Sequence, residues 1–401
     1  MTAVLSATPQ AKNRTDARIY LDNQATTPCD PRVVEAMLPF FTEKFGNPHS
    51  VDHSYGWDAQ EAVEQARQQI ARLIGAQARE IIFTSGATEA NNLAIKGAAR
   101  FRKEQRPHIV TLASEHKCVL ESVNAMAREG VEVTLLSPRA NGLVDLAALA
   151  EVVSERTALV SIMAANNEIG VIQPLAEIGE ICRARGAYFH SDAAQAVGKM
   201  PLDVEAMKCD LLSISAHKLY GPKGIGALYV RRRPRVRLTP LMDGGGQERG
   251  LRSGTLAPPL CVGFGEACRL AGAEMAAEIP RLKDLRDRFL TGLRDALDGV
   301  RLHGDLEQRL AGNLSLSFDG VSAAALIRAV PRLALSTGSA CTSASVESSY
   351  VLKALGVDAA TAGGAIRIAF GRFNSAADMQ QALILLVAAV QQLRRDGHAA
   401  G

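Results

Sequence analysis

A lysine, a histidine and a glycine-rich turn stand together in the strongest local pattern of the sequence. The run Ser213–Gly226 reads SISAHKLYGPKGIG, and Lys218 comes just after a predicted buried strand. A lysine at the edge of a sheet, shielded from water, loses its proton more readily and can form a Schiff base with an aldehyde cofactor. The alternative is a solvated lysine in a connecting loop, which is the commoner case for a Ser-x-His-Lys pattern taken alone.

Two further patterns favour a bound cofactor. Asp192 follows the strand candidate Ala187–His190, at the carboxyl end where ligands of α/β sheets bind. A carboxylate there can keep a pyridinium nitrogen protonated, although Asp is equally suited to capping a helix.

The segment Glu80–Asn92 predicts a strand, a turn of small residues and a helix start. The backbone N–H groups of such a turn can hold a phosphate, and an ordinary strand-to-helix turn is the alternative. Neither a Walker P-loop nor G-x-G-x-x-G stands at this position, which disfavours a nucleotide.

Cys341 lies in a stretch without large side chains. Ser336–Ser345 reads STGSACTSAS, and small residues with one glycine predict a mobile loop that presents the thiol. An unreactive loop cysteine is the alternative. The other six cysteines, Cys118 among them, are expected to be unreactive and mostly buried. The odd total of seven cysteines and their scattered spacing indicate reduced thiols in a reducing compartment.

Strands and helices alternate from about residue 58 to residue 230, which predicts a parallel or mixed sheet covered on both faces. The strand candidates are Glu80–Thr84, His108–Leu112, Val131–Leu135, Leu159–Met163, Ala187–His190, Leu211–Ser215 and Gly226–Val230, and the helix candidates are Ala59–Ile74, Val119–Glu129 and Ile178–Arg185. A long helix over Glu266–Leu297, strands at Asn313–Phe318 and Ala365–Ala369, and a final helix from Ala376 predict a smaller α+β domain.

The composition excludes several classes of protein. A net charge of +3 over 401 residues and 4% aromatic residues argue against a protein that coats nucleic acid. No apolar run reaches the roughly 18 residues that span a bilayer. The basic run Arg231–Arg237 is either a nucleic-acid patch or, as we favour, a solvated loop. Residues 1–18 faintly resemble a transit peptide but are expected to be a disordered tail, and we expect a cytoplasmic protein.

From about Ile19 to Arg394 the sequence resembles the cysteine desulfurases, which are fold-type I pyridoxal-phosphate enzymes of the class V aminotransferase family. The motifs that carry the resemblance are Tyr20–Pro28, Phe45–Pro48, Thr84–Glu89, Glu115–Lys117, Asn166–Gly170, Asp192–Gln195, His217–Lys218, Gly244–Arg249, Arg252–Thr255 and Ser339–Thr342. The resemblance implies a mixed, mostly parallel seven-stranded sheet in a large domain and a smaller α+β domain. The expected divisions are a flexible tail over 1–18, a small-domain segment over 19–28, a large domain over 29–270 and a small domain over 271–401.

The resemblance also implies a site for pyridoxal 5'-phosphate. It makes Lys218 the Schiff-base lysine, Asp192 the partner of the ring nitrogen, Gln195 that of the ring hydroxyl, and His116 the residue that stacks on the ring and transfers protons. It assigns the phosphate to Ala87, Thr88, Ser215 and His217, with Thr255 supplied by the neighbouring subunit of a homodimer. It assigns the substrate's carboxylate to Asn167 and Arg367, since a guanidinium can bind a carboxylate through two hydrogen bonds. In isolation Arg367 is equally a paired structural arginine.

The implied reaction converts L-cysteine to L-alanine, with Lys218, His116 and Cys341 as catalytic residues and the sulfur carried on Cys341 as a persulfide. The sulfur is expected to supply iron–sulfur cluster assembly or thiolation, through an acceptor such as an iron–sulfur scaffold protein. We expect no membrane partner, no direct nucleic-acid partner and no metal site, apart from a contact between Cys341 and a cluster in transfer.

The sequence departs from the family pattern at three places. Glu347 is followed by two serines where the family usually has Pro-Ser, and Ala194 stands in place of a threonine. The chain ends soon after its last predicted helix. The sequence therefore supports the desulfurase reaction more strongly than it supports docking to a scaffold protein. The runner-up enzyme is a related lyase for selenocysteine or cysteine sulfinate, whose members generally lack the long loop around Cys341. A non-catalytic assembly partner would require loss of Lys218, Asp192 or Cys341.

Overall fold

The computed structural model describes residues 18–337 and 349–399. Its strands are β1 (Ile19–Tyr20), β2 (Ile81–Thr84), β3 (His108–Leu112), β4 (Glu132–Leu136), β5 (Thr157–Ser161), β6 (Tyr188–Asp192), β7 (Leu211–Ser215), β8 (Gly226–Val230), β9 (Val300–Leu302), β10 (Asn313–Phe318), β11 (Leu333–Ala334), β12 (Ser336–Thr337) and β13 (Ile366–Ala369). Its α-helices are α1 (Pro31–Met37), α2 (Pro39–Thr42), α3 (Ser54–Leu73), α4 (Ala87–Arg102), α5 (Lys117–Arg128), α6 (Leu146–Val152), α7 (Leu175–Ala184), α8 (Pro258–Ala296), α9 (Ala323–Ala329), α10 (Tyr350–Ala354), α11 (Ala359–Gly363) and α12 (Ala376–Ala399).

The predicted seven-stranded mixed sheet is confirmed. Its strand order is β2-β8-β7-β6-β5-β3-β4, and only β8 runs antiparallel to its neighbours. Every residue of β2, β3, β5, β7 and β8 is buried, which is typical of strands covered by helices on both faces. On one face α3, α7 and the first part of α8 pack through residues such as Ile70, Ile178 and Phe264. On the other face α4 and α5 pack through residues such as Leu93 and Val123.

A second sheet, with order β12-β13-β10-β9, is antiparallel throughout. Its core combines the later part of α8, at Phe289 and Leu293, with Leu386 of α12 and with Ile19 and Leu21 of the N-terminal segment. Helix α8 therefore runs from one hydrophobic core into the other, because its first half packs on the large sheet and its second half on the small one. The predicted boundary at residues 270 and 271 falls inside this continuous helix.

Arg231 differs from the expectation of a solvated basic loop. Its side chain is fully buried beyond β8 and donates to the carbonyl oxygens of Cys209 and Val204, at 3.0 and 3.1 Å. Arg232, Arg233, Arg235 and Arg237 are exposed, as expected. The first arginine of the run is therefore a structural residue that joins β8 to the segment before β7.

Within the two described ranges, the search for a helix long and apolar enough to cross a bilayer finds none.

Candidate active site

A cleft of about 610 Å³ lies beside the carboxyl ends of β2, β6 and β7 and extends to β13 of the small sheet. Ten of the predicted site residues line it: Ala87, Thr88, His116, Asn167, Asp192, Gln195, Ser215, His217, Lys218 and Arg367. Thr255 is exposed and lies outside this lining, and Cys341 lies outside the described residues. Among these ten residues, Ala87 and Arg367 are the farthest apart in the sequence, at 280 positions, and both line the same concave site.

Lys218 ends a short 3-10 turn, Ala216–Lys218, which follows β7 directly. Its Nζ donates to the carbonyl oxygens of Gln24 and Ala25, both at 2.7 Å. These two carbonyls belong to the N-terminal segment, which crosses the cleft after β1. The amine is therefore held in a defined position by backbone acceptors rather than extended into water.

Asp192 is the last residue of β6 and is buried. Its Oδ1 accepts from the backbone N–H of Ala194 at 2.9 Å, and its Oδ2 accepts from Asn91 Nδ2 at 2.7 Å. These two donors fix the orientation of the carboxylate. The sequence analysis did not single out Asn91, although a fully buried asparagine on the otherwise apolar face of α4 is the signal that would have indicated it.

The loop before α4 has the features of an anion site. Gly86, the residue before the helix, has φ +155° and no side-chain cap, so the first N–H groups of the helix point out of its end. A side chain on Gly226 of β8 would come within 2.7 Å of the Cα of Gly86, so only glycine permits this close approach. Ser215 and His217 line the same end of the cleft. Burial, together with nearby lysines, lowers the pKa of His217 to about 4, so its imidazole is neutral at neutral pH.

Arg367 lies on β13 at the opposite end of the cleft. One terminal nitrogen donates to the backbone oxygen of Asn167 at 2.8 Å, and the other donates to Asp22 Oδ1 at 2.7 Å and to Ser336 Oγ at 2.9 Å. Among the described residues, its Nε and the Oδ1 of Asn167 are buried without a hydrogen-bond partner. Arg367 is thus a paired arginine, which was the alternative interpretation of the sequence. Its Nε also remains available as a donor to a ligand.

Two buried glutamates were missed by the sequence analysis. Glu168 lines the cleft next to Asn167, and burial raises its pKa to about 7. Glu115 is fully buried behind His116, accepts from the backbone N–H of Met163 at 2.7 Å, and has its pKa raised well above the usual value by burial. Both stand inside motifs that the sequence analysis quoted, but only the folded structure shows that they are removed from water.

A partly buried lysine supports the residue expected to meet the ring hydroxyl. Lys199 Nζ donates to Gln195 Oε1 at 3.0 Å, and Gln195 Nε2 donates to the carbonyl oxygen of Gln24 at 2.8 Å. These two bonds determine which way the Gln195 amide faces. Burial, with smaller effects of Lys218 and Arg367, lowers the pKa of Lys199 to about 7.

These groups fit pyridoxal phosphate. The open helix end at Gly86 can take the phosphate, the carboxylate of Asp192 the ring nitrogen, and the amine of Lys218 the aldehyde carbon. The unpartnered atoms of Asn167 and Arg367 leave polar groups for a substrate at the other end.

The comparison with known families decides the assignment. The family model described as aminotransferase class-V matches residues 19–382. The chain belongs to this family. Pyridoxal 5'-phosphate is the cofactor of these class-V proteins and therefore the group for which the cleft is built.

Two curated relatives of this class-V protein are named cysteine desulfurase IscS. The one from Rickettsia bellii (strain OSU 85-389) is 57% identical over 376 residues, which are 94% of this chain and 92% of the relative. The one from Rickettsia rickettsii (strain Iowa) is 55% identical over 387 residues, which are 96% of this chain and 94% of the relative.

Solved structures show the same similarity. One described as a NifS-like protein superposes with a TM-score of 0.87 at 37% identity, covering 93% of this chain and 99% of its own. Another, described as SspA in complex with cysteine, superposes with a TM-score of 0.79 at 37% identity, covering 89% and 100%.

Proposed function

We propose that this class-V protein is a cysteine desulfurase, which converts L-cysteine to L-alanine and takes the sulfur onto Cys341 as a persulfide. The observation that carries the proposal is the single cleft that joins Lys218, Asp192 and an open helix end to the partly free Arg367. The curated IscS relatives at 55–57% identity support the reaction, and a structure titled as a complex with cysteine supports the substrate.

The residues of the cleft divide between the parts of the cofactor. The phosphate would be held at the N-terminal end of α4, by the backbone of Ala87 and the side chains of Thr88, Ser215 and His217. Asp192 would pair with the ring nitrogen and Gln195 with the ring hydroxyl, and His116 would hold the ring. When bound, pyridoxal phosphate supplies an electron sink for cleavage of the substrate's Cα–H bond.

Lys218 and His116 move the protons. Lys218 Nζ, which is held by the carbonyls of Gln24 and Ala25, would receive and return the proton at the substrate's Cα. His116 Nδ1 accepts a hydrogen bond from the backbone N–H of Cys118 at 3.2 Å. The proton of the neutral imidazole therefore lies on Nε2, where it is available for donation.

Arg367 and Asn167 bind the carboxylate of L-cysteine. The unpartnered Nε of Arg367 is one available donor, and the amide Nδ2 of the half-buried Asn167, which lines the same cleft, would be the other. A charge-assisted hydrogen bond of this kind is about twice as strong as a neutral one. The contact orients the substrate so that its amine faces Lys218.

Cys341 receives the sulfur. Its thiolate forms an S–S bond with the sulfur of the substrate while the Cβ–S bond breaks, and protonation of the carbon fragment gives L-alanine. Two described residues near this segment support the role: Ser336 accepts a hydrogen bond from Arg367 at 2.9 Å, and Tyr350 lines the cleft. The described residues on either side of residues 338–348 therefore lie beside the substrate end of the site.

The proposal includes a homodimer, in which Thr255 of one chain completes the cofactor site of the other. An exposed apolar surface supports it, formed by Phe41, Phe45, Tyr55 and Trp57, each more than half exposed. Single exposed apolar residues are normal, but a cluster of aromatic side chains marks an interaction surface. Phe45 and Tyr55 already contact each other, with ring centroids 5.5 Å apart.

The proposal also covers the fate of the sulfur. A persulfide sulfur is passed on by thiol exchange, and iron–sulfur cluster assembly and thiolation pathways consume sulfur in this form; an iron–sulfur scaffold protein is the proposed acceptor. Cys29, Cys118, Cys182, Cys209, Cys261 and Cys268 are free thiols. Free thiols are typical of a reducing compartment, which supports a cytoplasmic location.

The proposed function is tested by comparing wild-type, Cys341→Ala and Cys29→Ala holoenzymes with L-cysteine and a thiol reductant. Cys29 is a matched control because it is a half-buried cysteine that does not line the cleft. We expect equal amounts of alanine and sulfide from the wild type and the control, and neither product from Cys341→Ala with its visible absorbance retained. Sulfide release by Cys341→Ala at the wild-type rate would show a direct lyase and contradict the persulfide step.

A further inference from the structure

Cys118 was expected to be an unreactive cysteine, but the structure places it in the cleft. It is the second residue of α5 and is half-buried. Its Sγ lies 3.0 Å from Nδ1 of His116 and 3.0 Å from Nδ2 of Asn91. The thiol therefore touches two polar side chains, one of which is a proposed catalytic residue.

The Asn91 amide determines the direction of these hydrogen bonds. Asn91 is fully buried, and its Nδ2 donates both to Asp192 Oδ2 at 2.7 Å and to Cys118 Sγ. A carboxylate only accepts hydrogen bonds, so the amide nitrogen has to face Asp192. The sulfur then accepts from Asn91, and its own S–H remains for His116.

The imidazole of His116 receives two donors on the same nitrogen. The backbone N–H of Cys118 lies 3.2 Å from Nδ1, and the thiol lies 3.0 Å from it. A ring nitrogen that accepts from a backbone N–H carries no proton itself. The thiol adds a second donor to this nitrogen and completes a chain of hydrogen bonds from Asp192 through Asn91 and Cys118 to His116.

We propose that Cys118 is a positioning residue for the desulfurase reaction, which holds His116 with its proton on Nε2 and connects it to Asp192 through Asn91. This inference rests on the proposed function, which gives His116 and Asp192 their roles at the cofactor. An apolar residue of the same size would fill the space but would leave the second donor to Nδ1 missing. The thiol acts through its hydrogen bonds and takes no part in sulfur transfer.

The test compares wild-type, Cys118→Val and Cys118→Ser holoenzymes. Valine is close in volume to cysteine and removes the donor, whereas serine restores a donor and an acceptor. Loss of a donor to Nδ1 destabilises the neutral imidazole, so the limb of the kcat/KM profile that His116 controls should move to higher pH by roughly half a unit in Cys118→Val. Cys118→Ser should return it toward the wild-type position. The other titratable and charged groups are the same in all three proteins, namely Glu89, Lys117, Glu168, Asp192, His217, Lys218, Lys223 and Arg367 around the cleft and Glu115 behind it.

Nitrogen NMR of histidine-labelled holoenzyme gives a readout that does not depend on turnover. In the wild type we expect an unprotonated Nδ1 and a protonated Nε2 for His116, assigned by the signals lost in His116→Gln, and altered Nδ1 shifts in Cys118→Val. Cys29→Val is the control and should leave both the profile and the signals unchanged. Identical profiles and signals for wild type and Cys118→Val would overturn the inference. A wild type without desulfurase activity would contradict the proposed function instead, and the NMR signals would still decide the role of Cys118.

Discussion

Lys218 and Gln195 donate hydrogen bonds to the same acceptor, the carbonyl oxygen of Gln24, at 2.7 and 2.8 Å. One contact positions the lysine amine, and the other positions the amide expected to meet the ring hydroxyl. The side chain of Gln24 in turn accepts from Asn313 of β10. A segment near the N-terminus therefore aligns two groups of the large sheet and connects them to the small one.

Replacement of Lys218 should abolish turnover. In Lys218→Ala the amine held at the Gln24 and Ala25 carbonyls is lost, so we expect kcat for alanine formation to fall by about a thousandfold or more. The visible absorbance of the bound cofactor should also change. Alanine release and the absorbance spectrum are the measurements, with Lys283→Ala on the exposed side of α8 as the control. Turnover near the wild-type rate would remove Lys218 from the mechanism.

Arg367→Lys should weaken substrate binding. A lysine has no planar fork and cannot keep the contacts to Asp22 and Ser336 while donating to a carboxylate. We expect KM for L-cysteine to rise by about 10-fold to 100-fold, with a smaller effect on kcat. Initial rates over a range of L-cysteine concentrations give both constants. Arg301→Lys, in an exposed pair with Asp319, is the matched control, and an unchanged KM for Arg367→Lys would exclude the carboxylate contact.

Glu168 should give substrate binding a pH dependence near neutrality. Burial raises its pKa to about 7, so the side chain is neutral below this pH and becomes charged beside Arg367 above it. The new charge competes with the carboxylate of the substrate. KM for L-cysteine should therefore rise more steeply through pH 7 in the wild type than in Glu168→Gln, as measured by initial rates at each pH. Parallel profiles for the two proteins would contradict this role.

The same glutamate should affect folding stability with a defined sign. Its pKa is higher in the folded chain than the ordinary value of 4.5, so its contribution is fully present below about pH 4.5 and is lost as the pH rises through about 7. Over this window the stability of the wild type should fall relative to that of Glu168→Gln. Urea unfolding of both proteins at several pH values measures the difference. A constant difference would indicate that Glu168 titrates normally.

The buried pair of Arg67 and Glu248 should matter more for stability than its exposed neighbour. Both terminal nitrogens of the Arg67 guanidinium donate to the Glu248 carboxylate at 2.8 Å, and the backbone N–H of Phe83 donates to the same carboxylate at 2.6 Å. Glu248→Ala leaves a buried charge without its partner, which should cost about 3–5 kcal/mol in the free energy of unfolding. Glu64→Ala removes a surface contact of the same Arg67 and should cost less than about 1 kcal/mol. Equal losses in urea unfolding would contradict this assignment.

The elements best predicted from sequence are those with sharp local boundaries. The bounds of β3, β7, β8 and β10 agree with prediction, because β3, β7 and β8 are mainly apolar runs and β10 alternates polar and apolar residues, the two patterns typical of strands. Strand β5 was predicted at Leu159–Met163 but lies at Thr157–Ser161, since the apolar run continues into buried chain that leads to the cleft. The two-residue strands β1 and β11 were missed because they exist only through pairing with each other.

The sequence by itself determined which residues are candidates for the chemistry, since Lys218, Asp192 and the turn at Gly86 stand in short motifs next to predicted strands and within the family resemblance. Only the tertiary structure decided how they are supported. Asn91 donates hydrogen bonds to Asp192, 101 positions away in the sequence, and to Cys118, 27 positions away. Arg367 donates a hydrogen bond to Asp22, which is 345 positions away. Such contacts depend on how whole helices and strands pack, and burial then sets the charge of groups such as Glu168. No local pattern encodes these contacts or the degree of burial, because both depend on many residues that are distant in the sequence.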